Sequence, residues 1–206
     1  MGSKMDEEVL VISRDLLPDL PSRGLVLADE TFLASLLPRA KFMSRREAES
    51  NPSYKQLIPY AMLRFADKIF RYRRSTWTRE KRLHGLYSIG VGGHVVRADL
   101  PPSCENYVAV IERARDRELA EEFLVETLGH PTLVGLLNDE SNEVGQVHLG
   151  IVYEYLLQNP NVKSREKRNH INCGFLSVEA LASNIQEYEN WSQVLIERLV
   201  MSLQKS

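Results

Sequence analysis

The chain has 206 residues, 43% of them hydrophobic, with 26 Lys and Arg against 28 Asp and Glu and a formal net charge of −2. This is enough for a packed core in one domain with an extension, or in two small domains. The charge argues against a protein that grips nucleic acid through overall attraction, no apolar run reaches a membrane-spanning length, and Cys104 and Cys173 are too few and too far apart for a disulfide framework or a zinc site.

A soluble, cytoplasmic protein with reduced thiols is expected, and Met1-Gly2-Ser3-Lys4 ahead of Met5 carries no functional weight. In chain order, residues 9–12 form a short β-branched strand, followed by a loop containing Pro18 and Pro21. Phe32, Leu33, Leu36 and Leu37 give residues 30–37 helical spacing, which Pro38 stops. Ser44-Arg45-Arg46-Glu47 reads as a capping box opening a short helix that Asn51-Pro52 ends. Residues 1–55 are therefore expected to form an N-terminal extension packed on a main domain of residues 56–206.

Strands follow over 57–65 and 68–74, flanking Ala66-Asp67 as a hairpin, and over 87–91. Pro101-Pro102 marks 99–106 as a loop. A helix is predicted over about 107–125 with Gly129 as its stop, then strands over 132–137 and 147–157 joined by a polar turn at 138–142. Phe175 to Leu181 reads as a strand-to-helix step, and a helix over 187–203 carries an apolar stripe of Trp191, Val194, Leu195, Leu199 and Leu203. The class is α+β with a mixed sheet.

Arg117-Glu118-Leu119-Ala120-Glu121-Glu122 carries the chemistry. Its glutamates at i, i+3 and i+4 share one helix face, where like charges repel unless neutralised. A hard divalent cation such as Mg²⁺ or Mn²⁺ neutralises them well; a solvated acidic face is the bland alternative. Upstream, Gly92-Gly93-His94 ends a short apolar run, and glycine there permits a sharp turn and close backbone approach to a ligand. Arg64, Lys68, Arg71, Arg73, Arg74, Arg79, Lys81 and Arg82 make a basic segment in which Phe70 and Tyr72 alternate with Arg71 and Arg73.

Together these residues resemble the Nudix hydrolase superfamily, whose box reads G-x5-E-x7-R-E-U-x-E-E-x-G-U with U aliphatic. Gly93 matches the opening glycine, and Arg117, Glu118, Leu119, Glu121 and Glu122 match the R-E-U-x-E-E core. Asp99 stands where the box has its first glutamate, about ten residues are inserted before Arg117, and Leu124 replaces the late glycine. Gly-Gly-His with a following Asp, Arg46-Glu47-Ala48-Glu49 and Pro52-Ser53-Tyr54-Lys55-Gln56 also resemble a branch of MutT-like phosphoesterases.

The resemblance implies an α/β/α sandwich and hydrolysis of a diphosphate linkage in a nucleoside diphosphate derivative or similar compound. Glu118, Glu121 and Glu122 would hold Mg²⁺ or Mn²⁺, and Arg117, four residues before Glu121, would orient that carboxylate. Gly92, Gly93, His94, Arg71 and Arg73 would contact substrate. The general base is open among Glu122, Glu140, Glu143 and Glu154. Isopentenyl-diphosphate isomerase chemistry is disfavoured, because neither cysteine lies in a Cys-Ser-His motif; a catalytically silent nucleotide-binding or regulatory module is the alternative. The implied partner is a phosphorylated, nucleotide-like small molecule, with no membrane, nucleic acid disfavoured and a homodimer left open.

Overall fold

The computed structural model describes residues 4–77, 81–101 and 107–204. Arg79, Cys104 and most of the loop expected at 99–106 lie outside the described residues. The chain divides into two compact units, each drawn from three stretches: Met1–Tyr60, Gly92–Glu118 and Leu133–Tyr153 in the first, and Ala61–Val91, Leu119–Thr132 and Glu154–Ser206 in the second. The boundary expected at 55/56 falls inside the strand Tyr54–Phe65.

In the first unit the strand Glu8–Ser13 pairs antiparallel with Lys41–Ser44 (Val9 opposite Met43) and with the start of Tyr54–Phe65 (Val11 opposite Gln56). Val9, Leu10, Val11 and Ile12 are all fully buried, the pattern of a strand covered on both faces. Val9, Val11, Met43 and Ala48 form a core cluster against Tyr54 and Val96. Two strands of this unit escape the sequence reading, Lys41–Ser44 and Arg23–Leu27. The latter lies in the stretch read as loop and pairs with Thr132–Asp139 from Arg23 opposite Asp139 to Leu27 opposite Gly135. Only a short apolar run, Leu25 to Ala28, announces it, and its partner lies over a hundred residues away.

Asp29 caps the helix Glu30–Leu36, its Oδ1 accepting from the Phe32 amide at 2.8 Å. Pro38 sits in a following 3-10 turn, Leu37–Arg39, where a proline costs no hydrogen bond. The expected capping residue is in place: the Ser44 hydroxyl accepts from the Glu47 amide at 3.3 Å and opens the short helix Arg45–Ala48, which ends at Glu49. The polar turn expected at 138–142 is shorter than foreseen. Asn138 and Asp139 continue their strand, and Asn142 caps a further short helix, Glu143–Gln146.

In the second unit the hairpin turns at Ala66, whose φ of 52° supplies the left-handed turn. Lys68–Arg74 pairs antiparallel with His170–Ser177 and with Tyr87–Ser88, and an isolated parallel bridge joins Tyr87 to Tyr188. The helix that begins at Tyr107 ends at Glu122, three residues early. Phe123 leaves it for an aromatic cluster, 5.3 Å from Phe70, 5.2 Å from Tyr72 and 4.7 Å from His170 between ring centroids. Phe123–Leu124 then pairs with Lys163–Ser164. Gly129 does have a positive φ of 63°, but it turns the chain beyond the helix and does not stop it. Ser177 caps Val178–Ala182, and Glu189 caps the last helix, Asn190–Leu203, which starts later than expected because Ile185–Glu187 is a separate 3-10 turn. Val194 and Leu195 are buried as the stripe requires, whereas Leu203 is exposed. The α+β class with a mixed sheet stands, and no helix among the described residues is long and apolar enough to cross a membrane.

Candidate active site

The short strand Gly90–Gly92 delivers the glycine pair. A Cβ on Gly92 would stand 2.9 Å from the Tyr60 ring and 3.3 Å from the Pro59 carbonyl, so this glycine serves close strand packing. Gly93 serves something else. A Cβ there would fall 1.9 Å from Glu118 Cδ and within 2.3 Å of both its oxygens. The carboxylate of the first core glutamate fills the space that any other residue's side chain would need.

Glu118 is held in that place by Arg117. The guanidinium donates to both Asp99 oxygens, Nε to Oδ1 at 2.8 Å and Nη2 to Oδ2 at 2.9 Å, and its Nη1 donates to Glu118 Oε1 at 2.7 Å. Nη2 also donates to the His94 carbonyl at 3.0 Å. Asp99 is buried and additionally accepts from the Val96 amide at 2.9 Å. Hydrogen bonding to Asp99 raises the Arg117 pKa, burial opposes that, and Glu118 raises it further. Helix spacing pairs Arg117 with Glu121, but the bonds described fix Glu118. Asp99, a departure from the box in sequence, anchors Arg117 through this bidentate pair.

On the same helix, Glu121 is exposed and Glu122 is the last residue. Glu122 Oε2 lies 3.1 Å from His170 Nε2, yet it is buried without an aligned hydrogen-bond donor. The His170 ring stacks on Phe123, and its Nδ1 lies 3.0 Å from the Ser164 hydroxyl.

His94 brings its ring to His148, Nε2 to Nε2 at 3.1 Å, and its Nε2 lies 3.9 Å from Glu49 Oε1. His94 is singled out in the sequence and Glu49 lies in the Arg46-Glu47-Ala48-Glu49 motif, whereas His148 escapes the sequence reading. That motif was the available signal.

Arg71 and Arg73 lie in the second unit, on the basic face opposite buried Phe70 and Tyr72 as the alternation requires. The Arg71 guanidinium sits 4.0 Å over the Tyr87 ring and donates to the Tyr188 hydroxyl at 3.3 Å, while Arg73 donates to the Gly85 carbonyl at 2.7 Å.

Of the outlying general-base candidates, Glu154 is paired with Arg64 at 2.8 Å and Glu143 stands exposed in the first turn of its helix. Glu140 bonds to Arg14 and lies 3.2 Å from the buried Lys55 ammonium. Burial raises the Glu140 pKa, but hydrogen bonds from Arg14, Lys55 and Asn138 outweigh it and leave the carboxyl below its ordinary range. A general base needs the opposite shift. A depressed carboxyl contributes stability above its unfolded pKa of about 4.3 and loses it as pH falls through the folded value. Thermal melts from about pH 5 to pH 3 should therefore show a steeper fall for the wild type than for Glu140→Gln. Parallel curves would remove this contribution.

No family model matches the chain. It is 31% identical to Protein YmaB of Bacillus subtilis (strain 168) over 206 residues, covering 95% of this chain and 98% of the relative. Among solved structures it is similar to Tm1382, provisionally assigned as a Nudix hydrolase, at 25% identity and a TM-score of 0.78, covering 94% of this chain and 98% of that one. The Nudix domain of Shewanella oneidensis NrtR, solved with ADP ribose, shares the fold at 18% identity and a TM-score of 0.50, over 72% of this chain and 88% of that one.

Proposed function

Because the chain belongs to the Nudix hydrolase superfamily, as a pyrophosphohydrolase in one family with Protein YmaB, we propose that it hydrolyses a diphosphate linkage in a nucleoside diphosphate derivative or similar compound with the help of Mg²⁺ or Mn²⁺. The observation that carries this reading is the seat of Glu118 on Gly93, locked by Arg117 and Asp99. A carboxylate held against a backbone that has been cleared of side chain is a suitable cradle for a hard cation. Glu118, Glu121 and Glu122 would hold the ion, which supplies neutralisation of charge on the phosphoryl oxygens when water attacks phosphorus.

Arg117 acts as a positioning residue: it fixes Glu118 and ties the helix to the His94 carbonyl. Glu122, the last residue of the box helix, is the general base we favour. Gly92, Gly93 and His94 would flank the phosphates. Arg71 and Arg73 are our candidates for further phosphate contact, since each guanidinium has five N–H donors and the bonds to Tyr188 and Gly85 use one apiece. The same reading puts the enzyme in the cytoplasm, acting on a nucleotide-like small molecule.

The test is a phosphate-release screen over nucleotide sugars, dinucleoside polyphosphates, nucleoside triphosphates and ADP ribose, each with Mg²⁺ and Mn²⁺. On a substrate so found, Glu121→Gln should lose roughly 10²-fold in rate, because the shape is kept and a ligand charge is lost. Its stability in metal-free buffer should hold or rise as like-charge repulsion on the helix falls. Wild-type turnover by this variant would sink the assignment of the glutamates, and binding of nucleotides without any turnover would favour the silent module.

A further inference from the structure

We propose that Glu49, His94 and His148 form a second cation site, selective for a borderline transition ion of the Zn²⁺ class, that uses none of the box glutamates as ligands. Their ligand atoms lie within 4.8 Å of one another. The two imidazole nitrogens already stand as ligands of one ion would. At a zinc–nitrogen distance of about 2.05 Å, a separation of 3.1 Å subtends an angle of about 100° at the metal, between octahedral and tetrahedral.

The histidine tautomer supports the same conclusion. His148 Nδ1 lies 2.7 Å from the Val144 carbonyl, and a carbonyl oxygen can only accept. Nδ1 therefore carries the proton, and the neutral ring presents its Nε2 lone pair to His94 and Glu49. Orientation of a ligating imidazole by a backbone carbonyl is the usual outer support of a metal site. Glu49 is delivered by the Ser44-capped helix and steadied by Arg45, whose Nε lies 3.2 Å from Oε1. At 3.9 Å from His94 Nε2, its carboxylate needs only a small rotation to complete the set.

Two imidazoles and one carboxylate suit zinc-like ions and leave positions open, whereas Mg²⁺ prefers oxygen and water. The competing account is a plain N–H···N hydrogen bond from His94 to His148, which requires no ion. The site also explains the burial of His148 beside a chain turn and gives the Arg46-Glu47-Ala48-Glu49 motif a chemical purpose.

The experiment is titration of the full chain with Co²⁺, read by its visible d–d absorption, and with Zn²⁺, read by calorimetry. Wild type should show a site whose affinity drops at least roughly 10-fold in His148→Gln and in Glu49→Gln, and which survives in Glu118→Gln and Glu121→Gln. Circular dichroism checks folding, and partly exposed Glu49 keeps the test open should His148→Gln not fold. Undiminished Co²⁺ affinity and spectrum in a folded His148→Gln or Glu49→Gln, uptake abolished only by the box variants, or no uptake by wild type would each overturn the site. Because the readout is binding, it does not depend on the proposed hydrolysis.

Discussion

Gly93→Ala is expected to cut hydrolysis roughly 10²-fold or more while leaving the fold intact. The new methyl group would stand 1.9 Å from Glu118 Cδ, a separation no packing tolerates, so the carboxylate must leave. What yields is the far end of a flexible side chain, so folding should lose no more than about 1–2 kcal/mol, including the weakened bond from Arg117 Nη1. Measured together, kcat/KM and Tm separate this from a mere packing defect. A small drop in Tm with wild-type kcat/KM would show that the seat of Glu118 is not catalytic. A large drop in Tm with kcat unchanged in the surviving protein would make Gly93 structural.

Arg117→Met should have the largest effect on stability. It would leave Asp99, whose side chain is 5% exposed, as a buried carboxylate stripped of both guanidinium bonds. Removing one member of such a pair costs about 3–5 kcal/mol, and the 30% exposure of Arg117 points to the lower end. For a chain of this size that is roughly a 10 °C fall in Tm. Adding Asp99→Asn removes the stranded charge while keeping an oxygen for the Val96 amide, so the double variant should recover part of the loss. Urea denaturation of the two single variants and the double gives the coupling. An Arg117→Met protein within about 1 kcal/mol of wild type would mean that Asp99 finds water or another donor.

Several elements were legible because their signals are local. The β-branched run at Val9–Ile12, the alternation of Phe70 and Tyr72 with Arg71 and Arg73, and the cap at Ser44 each follow from how one strand or helix directs consecutive side chains. The i, i+3, i+4 glutamates and their helix belong to the same class. The strand Arg23–Leu27 was not legible, since its hydrogen bonds come from Thr132–Asp139 and its own apolar run is short. The end of the box helix was misplaced for a related reason: Phe123 gains more by joining Phe70, Tyr72 and His170 than by extending the helix.

Within the candidate site the same division holds. Residue order alone determined the acidic helix face, the glycine pair and the arginine preceding Glu118, because helical and strand geometry convert spacing directly into direction. Only the tertiary structure decided that Asp99 anchors Arg117, that Gly93 makes room for Glu118, and that Glu49, His94 and His148 converge from three separate stretches of chain. Such meetings depend on which strands pair and which surfaces bury each other, a choice made by nonlocal hydrogen bonding and apolar burial that no short-range periodicity records.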